Sequence, residues 1–256
     1  MNNETNLDPI KDQFLLEDKA IIERMVSFAN LNKNDTVLEI GAGTGNLTKE
    51  IAKYAGNVIA YEIDKKFKSY LNSLPKNVDL RYEKTELTPN FRDIIISNPP
   101  FSLIESLLHQ LIFINYKKVI LVVPKKTLKT IKASGIFNSF FTAKILMDIP
   151  AQSFNPIPKT SSVIIDLMKQ KDPIETENIE LFLRQYIYQH KNQLVKNSLM
   201  EGIIRYKKRT EEIIITKNEA RKMITNAFND KKFTKLLNSK PEGNTIYNLV
   251  SEKFKV

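Results

Sequence analysis

The chain has 256 residues, with 39 lysines and arginines against 29 aspartates and glutamates, for a net charge of +10. It has no cysteine, so disulfides and thiolate metal sites are excluded. Its two histidines, His109 and His190, lie far apart in the sequence, which argues against a zinc site. The first residues lack the apolar stretch of a signal peptide, and no run is long enough for a membrane helix. We therefore expect a soluble, cytoplasmic protein that binds neither membranes nor metal.

The excess of positive charge creates a field that attracts polyanions such as nucleic acid. An AT-rich genome also raises the content of lysine, asparagine and isoleucine in every protein that it encodes. The charge alone therefore does not separate a nucleic-acid-binding protein from a compositional bias.

Apolar runs and amphipathic stretches alternate through the first half of the chain, beginning with a helix that Asp18 is expected to cap. Strands are predicted at 36–40, 57–63, 78–82, 93–97 and 118–123, and helices at 46–54, around 67–71 and near 104–113. Strands and helices at such short spacing predict a mostly parallel sheet that is covered on both faces.

Two further strands are predicted at 143–149 and 162–168, with a proline-rich loop between them, so we expect an antiparallel pair at the edge of the sheet. The polar segment 169–178 is a candidate linker, and the pattern beyond it is helical. The fold class is therefore α/β, with a Rossmann-like, mostly parallel seven-stranded sheet and a small C-terminal helical domain. The expected domains are residues 1–172 and 173–256.

The stretch VLEIGAGTGNLT (37–48) runs from a predicted strand into a helix through three glycines, Gly41, Gly43 and Gly45. Glycines let the backbone approach a ligand, and a helix N-terminus adds free N–H groups. A dinucleotide site would need glycine at the position of Asn46. Glu39 before the glycines and Glu62 at the end of the next strand complete a pattern typical of S-adenosylmethionine sites, in which Glu62 binds the ribose hydroxyls. The alternative is a tight strand-to-helix turn, with Glu62 capping a strand.

The residues NPPF (98–101) follow a predicted buried strand, IIIS. The Asn98 side-chain oxygen and the Pro99 carbonyl could accept the two N–H bonds of a nucleobase amine and favour its nucleophilic geometry. Two consecutive prolines would keep that carbonyl in place. Phe101 offers a flat face on which an extruded base could stack. The alternative is a proline turn that carries a core phenylalanine.

These motifs resemble those of the ribosomal RNA adenine N6-dimethyltransferases, which comprise the small-subunit KsgA-type enzymes and their Erm relatives. The resemblance is carried by QFLLED (13–18), EIGAGTGNLT (39–48), NPPF (98–101) and SFNPIPKTSSVII (153–165). IYQHKNQLVKNSL (187–199) is similar to the start of the C-terminal domain in the small-subunit branch. The resemblance implies methyl transfer from S-adenosylmethionine to adenine N6 in ribosomal RNA. The expected target is two adjacent adenosines near the 3′ end of small-subunit ribosomal RNA.

The resemblance also implies roles for particular residues. The cofactor would be held by Gly41, Gly43, Glu62 and Ile63. The residues that close over it would be Gln13 and Leu15. Asn98 would contact both the cofactor and the substrate. Lys84 stands where the family has an acid that binds the adenine ring, and Glu83 beside it is the candidate substitute. Residues 122–141 differ from the family segment at that place.

The C-terminal helical region is predicted to bind RNA. Arg184, Tyr188 and Lys191 share one side of a helix by their spacing. Further basic residues follow at Arg205, Lys207, Lys208 and Arg209. A basic face with aromatic residues suits a structured RNA, whereas the alternative is an ordinary solvated helix face. The expected partner is ribosomal RNA in a small-subunit precursor, bound by a monomer.

Two other classes of function are compatible with the same sequence. One is an amino-group methyltransferase with another substrate, either large-subunit ribosomal RNA or DNA. The other is a non-catalytic assembly factor that keeps the fold for RNA binding. The presence of Glu62 and Asn98 favours an enzyme over the assembly factor.

Overall fold

The computed structural model describes residues 13–85, 87–88, 93–170, 176–230 and 233–255. The chain divides into two compact units, Met1–Lys129 with Ala143–Met168, and Thr130–Thr142 with Lys169–Val256. The predicted domain boundary after residue 172 lies outside the described residues. The sequence assigned the segment 130–142 to the first domain, whereas it packs with the second unit.

Among the described residues, seven strands form one sheet, and its spatial order is β4-β3-β2-β5-β6-β9-β7. The strands are β2 (Thr36–Ile40), β3 (Asn57–Tyr61), β4 (Val78–Arg81), β5 (Ile94–Ser97), β6 (Lys118–Pro124), β7 (Phe141–Ile149) and β9 (Ser162–Lys169). Strands β2 to β6 pair in parallel, and β9 runs antiparallel to β6. The predicted mostly parallel, Rossmann-like sheet is thus confirmed. Two short strands, β1 (Leu15–Leu16) and β8 (Phe154–Asn155), form a separate antiparallel pair.

Helices lie at each position where the sequence predicts one, and two further helices lie between β6 and β7, where it predicts none. They are α1 (Lys19–Ser27), α2 (Asn46–Tyr54), α3 (Lys68–Leu71), α4 (Ile104–Leu111), α5 (Lys125–Ala133), α6 (Phe137–Phe140), α7 (Ile179–Gln189), α8 (Val195–Thr210), α9 (Lys217–Ala227), α10 (Phe233–Leu237) and α11 (Thr245–Lys253). Asp18 caps α1, because its carboxylate accepts a hydrogen bond from the Ile21 N–H. Of the helices in the described ranges, none is both long and apolar enough to cross a membrane.

The core of the first unit explains why its central strands are apolar throughout. Ile94 and Ile96 on β5 pack with buried residues of α1 and α2 such as Met25 and Ile51. Ile95 points to the opposite face by strand alternation and is also buried. Because the three isoleucines of β5 are buried on both faces of the sheet, the end of β5 is the first place on this strand where a polar side chain can reach a ligand.

The second unit is built around α7 and α8, which pack closely at Gly202. Arg184 on α7 is buried, pairs with Glu180 at 2.6 Å and donates to the Gly135 carbonyl at 2.7 Å. Gln185 holds the Ser139 carbonyl at 2.7 Å in the same way. These bonds explain why residues 130–142 belong to this unit.

The predicted basic face of α7 needs a correction. Arg184 and Tyr188 are both buried, so of the three residues proposed for that face only Lys191 is exposed. Helical spacing places residues on one side of a helix, but the segment that packs there decides whether that side meets solvent.

Candidate active site

A cavity of about 660 Å³ opens where β2, β3 and β5 end at their carboxyl edge. This is the edge at which open α/β sheets bind ligands. Eight of the ten predicted site residues line it: Gln13, Leu15, Gly41, Gly43, Glu62, Ile63, Glu83 and Asn98. The other two, Pro99 and Phe101, lie beside it without lining it. The structure therefore brings the predicted residues to one place, and their individual roles remain predictions.

The glycine loop after β2 adopts a backbone conformation that favours glycine. Gly41, Gly43 and Gly45 have φ values of 77°, 54° and 79°. A Cβ on Gly43 would lie 2.7 Å from Leu15, and one on Gly41 would lie 3.2 Å from Pro100. The loop is therefore packed tightly against both the N-terminal segment and the NPPF residues.

Glu62 fixes the shape of this loop. Its carboxylate accepts hydrogen bonds from the N–H groups of Gly43 and Asp64, each at 2.8 Å. Burial raises the pKa of Glu62, while these backbone donors act in the opposite direction. Each carboxylate oxygen has a second lone pair, so Glu62 can still accept hydrogen bonds from a ligand in the cavity.

Glu39 is a second buried acid on the cavity wall. Its side chain is 1% exposed, and within the described structure its Oε2 atom has no hydrogen-bond partner. Burial raises the pKa of Glu39 to about 8, and the nearby negative charge of Glu62 adds to the effect. A buried carboxyl oxygen without a partner is costly unless a ligand supplies a donor or a positive charge.

The N-terminal segment 13–16 crosses the mouth of the glycine loop. Gln13 donates to the Asp64 carboxylate at 3.0 Å and accepts from Lys66. β1 is held by its antiparallel pairing with β8, where Leu15 lies opposite Asn155. The SFNPIPK segment, one of the four stretches that carry the family resemblance, thus holds the N-terminal segment in place.

Asn98 follows β5 directly and is oriented by this same N-terminal segment. Its Nδ2 donates to the Phe14 carbonyl at 2.9 Å. Its Oδ1 is buried and has no partner among the described atoms, and Asn98 is one of the residues that line the cavity. Because the amide nitrogen is anchored, the end of the amide that is left for a ligand is a hydrogen-bond acceptor.

Phe101 does not line the cavity, although the sequence predicted it as the surface on which a base stacks. It is half-buried and stacks on Phe14, with ring centroids 5.4 Å apart and an interplanar angle of 23°. Pro99 is buried, whereas Pro100 lines the cavity. Sequence reasoning did not single out Phe14, although it lies between Gln13 and Leu15, which it did select.

The opposite end of the cavity is more open. Ile63 is 69% exposed, and Glu83 and Lys84 are exposed beside it. Leu103 contributes another exposed apolar side chain. An apolar surface next to polar groups suits a flat heterocycle with hydrogen-bonding edges.

Taken together, these residues fit S-adenosylmethionine. Gly41 and Gly43 present backbone to the cavity, Glu62 offers acceptors for ribose hydroxyls, and Glu39 offers a buried negative charge for an ammonium group. Ile63 and Glu83 line the same cavity and could contact the adenine ring of the cofactor.

Comparison with known proteins agrees with this assignment. The profile of the family described as ribosomal RNA adenine dimethylase matches residues 9–235. The ribosomal RNA small subunit methyltransferase A of Thermotoga maritima is 32% identical over 202 residues, covering 73% of this chain and 72% of that protein. The protein of the same name from Mycoplasmopsis synoviae is 33% identical over 196 residues, covering 68% of this chain and 74% of the relative. The resemblance inferred from the sequence is confirmed.

Solved structures agree on the fold. A dimethyladenosine transferase from Plasmodium falciparum superimposes with a TM-score of 0.61 at 20% identity, covering 94% of this chain and 97% of the other. The 23S rRNA methyltransferase ErmE gives a TM-score of 0.57 at 17% identity, covering 94% of this chain and all of the other. At these identities the comparison supports the fold alone.

Proposed function

Because this chain belongs to the ribosomal RNA adenine dimethylase family, we propose that it methylates N6 of adenosines in ribosomal RNA of the small subunit. Its methyl donor is S-adenosylmethionine, as in the rest of the family. Two adjacent adenosines near the 3′ end of that RNA are the proposed target, reached in a small-subunit precursor. A monomer acting in the cytoplasm remains the working prediction.

The observation that carries the proposal is the free, buried Oδ1 of Asn98. An exocyclic amine is a poor nucleophile because its lone pair is delocalised into the ring. An acceptor on one of its N–H bonds holds the nitrogen in place and favours the bent geometry that exposes the lone pair. Since Nδ2 is already bonded to the Phe14 carbonyl, the amide cannot rotate to present a donor without losing that bond.

When bound, the cofactor supplies an electrophilic methyl group on a positively charged sulfur. The chain's own residues bind and align. Glu62 and the glycine loop would hold one end of the cofactor, Glu39 would offer charge at the buried wall, and Asn98 would orient the amine. Alignment and exclusion of water are the principal contributions that such a site makes to the rate.

The second unit is proposed to hold the RNA. Residues 173–256 contain 16 lysines and arginines against 10 acids, a charge of +6 out of the total of +10 in a third of the length. Arg205 is exposed and lies over the Tyr186 ring at 5.6 Å, and Arg209 lies over Phe182 at 5.1 Å. An arginine stacked on an aromatic ring is partly ordered in advance, which lowers the entropy cost of contacting a phosphate.

The direct test uses purified protein with isotopically labelled S-adenosylmethionine. Small and large ribosomal subunits from a strain that lacks the gene are the substrates, and the nucleosides are analysed by mass spectrometry. We expect labelled N6-methylated adenosine in small-subunit RNA only. Label in large-subunit RNA alone would reject the proposed substrate, and no label in either would reject the proposed reaction.

RNA binding by the second unit gives a separate prediction. The logarithm of RNA affinity should fall steeply with the logarithm of salt concentration. Arg205→Gln should make that slope less steep, by about the amount that one phosphate contact contributes. Lys240→Gln, at an exposed lysine, is the matched change of charge and should have a smaller effect. Substitution is preferable to truncation at residue 172, because residues 130–142 pack on α7. Equal slopes for both variants and the wild type would remove Arg205 from the RNA surface.

A further inference from the structure

The position of Phe14 changes the expected place of the target base. Phe14 lines the cavity, whereas Phe101 does not, and the two rings are stacked with centroids 5.4 Å apart. Of the two stacked rings, Phe14 is therefore the one on the cavity wall. The sequence assigned the stacking surface to Phe101, but Phe14 is the ring that a base inside the cavity could contact.

A base does not fit between the two rings as they stand. Each stacking contact needs about 3.5 Å, so a base between two rings needs about 7 Å. The observed separation is 5.4 Å at an angle of 23°. Without a rearrangement, a base cannot be sandwiched between Phe14 and Phe101.

Other aromatic residues on the cavity wall are poorer candidates. In the described part of the chain, the aromatic side chains that line the cavity are Phe14, Tyr61 and Phe67. Tyr61 and Phe67 are both buried, and the Tyr61 hydroxyl accepts from Arg81 at 3.0 Å. Phe14 is half-buried, and its carbonyl is 2.9 Å from Asn98 Nδ2. It is thus the aromatic residue beside the acceptor that would hold the amine.

We propose that the target base stacks on Phe14, with Phe101 behind it as support. The proposal rests on the proposed methylation of an adenine. Phe14 then has two roles, because its carbonyl orients the Asn98 amide while its ring carries the base. Residue 14 is therefore a substrate-positioning residue, and the segment 13–16 serves the substrate as well as the cofactor.

The test compares the loss of either ring. Phe14→Leu keeps an apolar side chain and the carbonyl that holds Asn98, but it removes the flat face. Single-turnover methylation of small subunits should show an apparent KM that is raised about 10- to 100-fold, as expected for the loss of one base–aromatic stack. Cofactor affinity should stay within about threefold of wild type, and Phe14→Tyr should restore methylation because the ring is kept. Phe101→Leu should have a smaller effect than Phe14→Leu.

Phe113→Leu is the matched control, since Phe113 is 60% exposed and does not line the cavity. It should behave as wild type. A larger loss for Phe101→Leu than for Phe14→Leu would show that the base displaces Phe14, and it would overturn the proposal. A loss of cofactor affinity in Phe14→Leu that matches the loss of methylation would overturn it as well. Absence of methylation by the wild type would instead reject the proposed function, and this proposal with it.

Discussion

On the side of the cavity formed by β2 and β3, the interacting groups are near one another in sequence. Glu62 binds Gly43, 19 positions away, and Asp64, two positions away. On the side formed by β5, the key bond joins Asn98 to Phe14 across 84 positions. The first side contains buried acids with raised pKa values, whereas the second relies on a neutral amide and aromatic rings.

The difference shows how one site can separate two tasks. The cofactor side is a compact βαβ unit whose loop conformation depends on its own glycines. The substrate side depends on a segment from the start of the chain, which is held in place by β8. We therefore expect changes on the first side to alter cofactor affinity and pH dependence, and changes on the second to alter the rate.

The largest expected effect is on the substrate side. Asn98→Ala should lower the methylation rate by about 10²- to 10³-fold, the range for removing one well-placed polar group from a reacting centre. Cofactor affinity and melting temperature should change little, because the lost bond to Phe14 is a single one. Single-turnover kinetics, calorimetry and thermal melting on the same variant provide the comparison. A fully active Asn98→Ala variant would contradict the proposed role of this amide.

The next effect is on the cofactor side. Glu62→Ala should weaken S-adenosylmethionine binding by about 1.5–3 kcal/mol, because a buried acceptor for two hydroxyls is lost and the Gly43 N–H loses its partner. Glu62→Gln keeps one acceptor oxygen and should lie between the wild type and Glu62→Ala. Calorimetric titration measures both. An unchanged dissociation constant in Glu62→Ala would remove this residue from the site.

The pH dependence should also belong to the cofactor side. The pKa of the Glu39 carboxyl group rises to about 8 on folding. Such a group makes its full contribution to stability only below the pKa that it has in the unfolded chain. That contribution is lost as the pH rises through 8. The ligand-free protein should thus lose about 2 kcal/mol of stability between pH 6 and pH 8 through Glu39. Denaturant unfolding at both pH values measures this loss.

Glu39→Gln is the control, since it keeps the shape and removes the titration. Its stability should vary less over the same pH range than that of the wild type. Parallel pH profiles of the two proteins would show that Glu39 does not titrate there. Because the cofactor carries positive charge, its affinity for the wild type should rise over this range as Glu39 ionises.

The smallest effect concerns the bond that joins the two sides. The buried Ser97 hydroxyl donates to the Ile40 carbonyl at 2.7 Å, across the ends of β5 and β2. Ser97→Ala should cost about 1 kcal/mol of unfolding free energy and change cofactor affinity and rate by less than about threefold. Ser27→Ala, which removes an exposed hydrogen bond, should cost less. A large loss of rate in Ser97→Ala would show that the two sides are coupled more tightly than we infer.

The sequence by itself determined the seven strands of the main sheet, helices α1 to α4, the glycine loop and the position of Glu62. These features are local: the period of apolar residues sets the element, and a positive φ calls for glycine. Six of the eight predicted site residues that line the cavity follow adjacent parallel strands, whose ends meet at one edge of the sheet, whereas Gln13 and Leu15 come from the N-terminal segment.

Only the tertiary structure decided which groups meet across long separations. The contact of Phe14 with Asn98 and Phe101, the burial of Arg184, and the packing of residues 130–142 on the second unit all depend on segments that are distant in sequence. The period of apolar residues indicates which side of a helix or strand is apolar, but it does not indicate which segment of the chain covers that side. The stacking of Phe14 on Phe101 could therefore be found only in the folded chain.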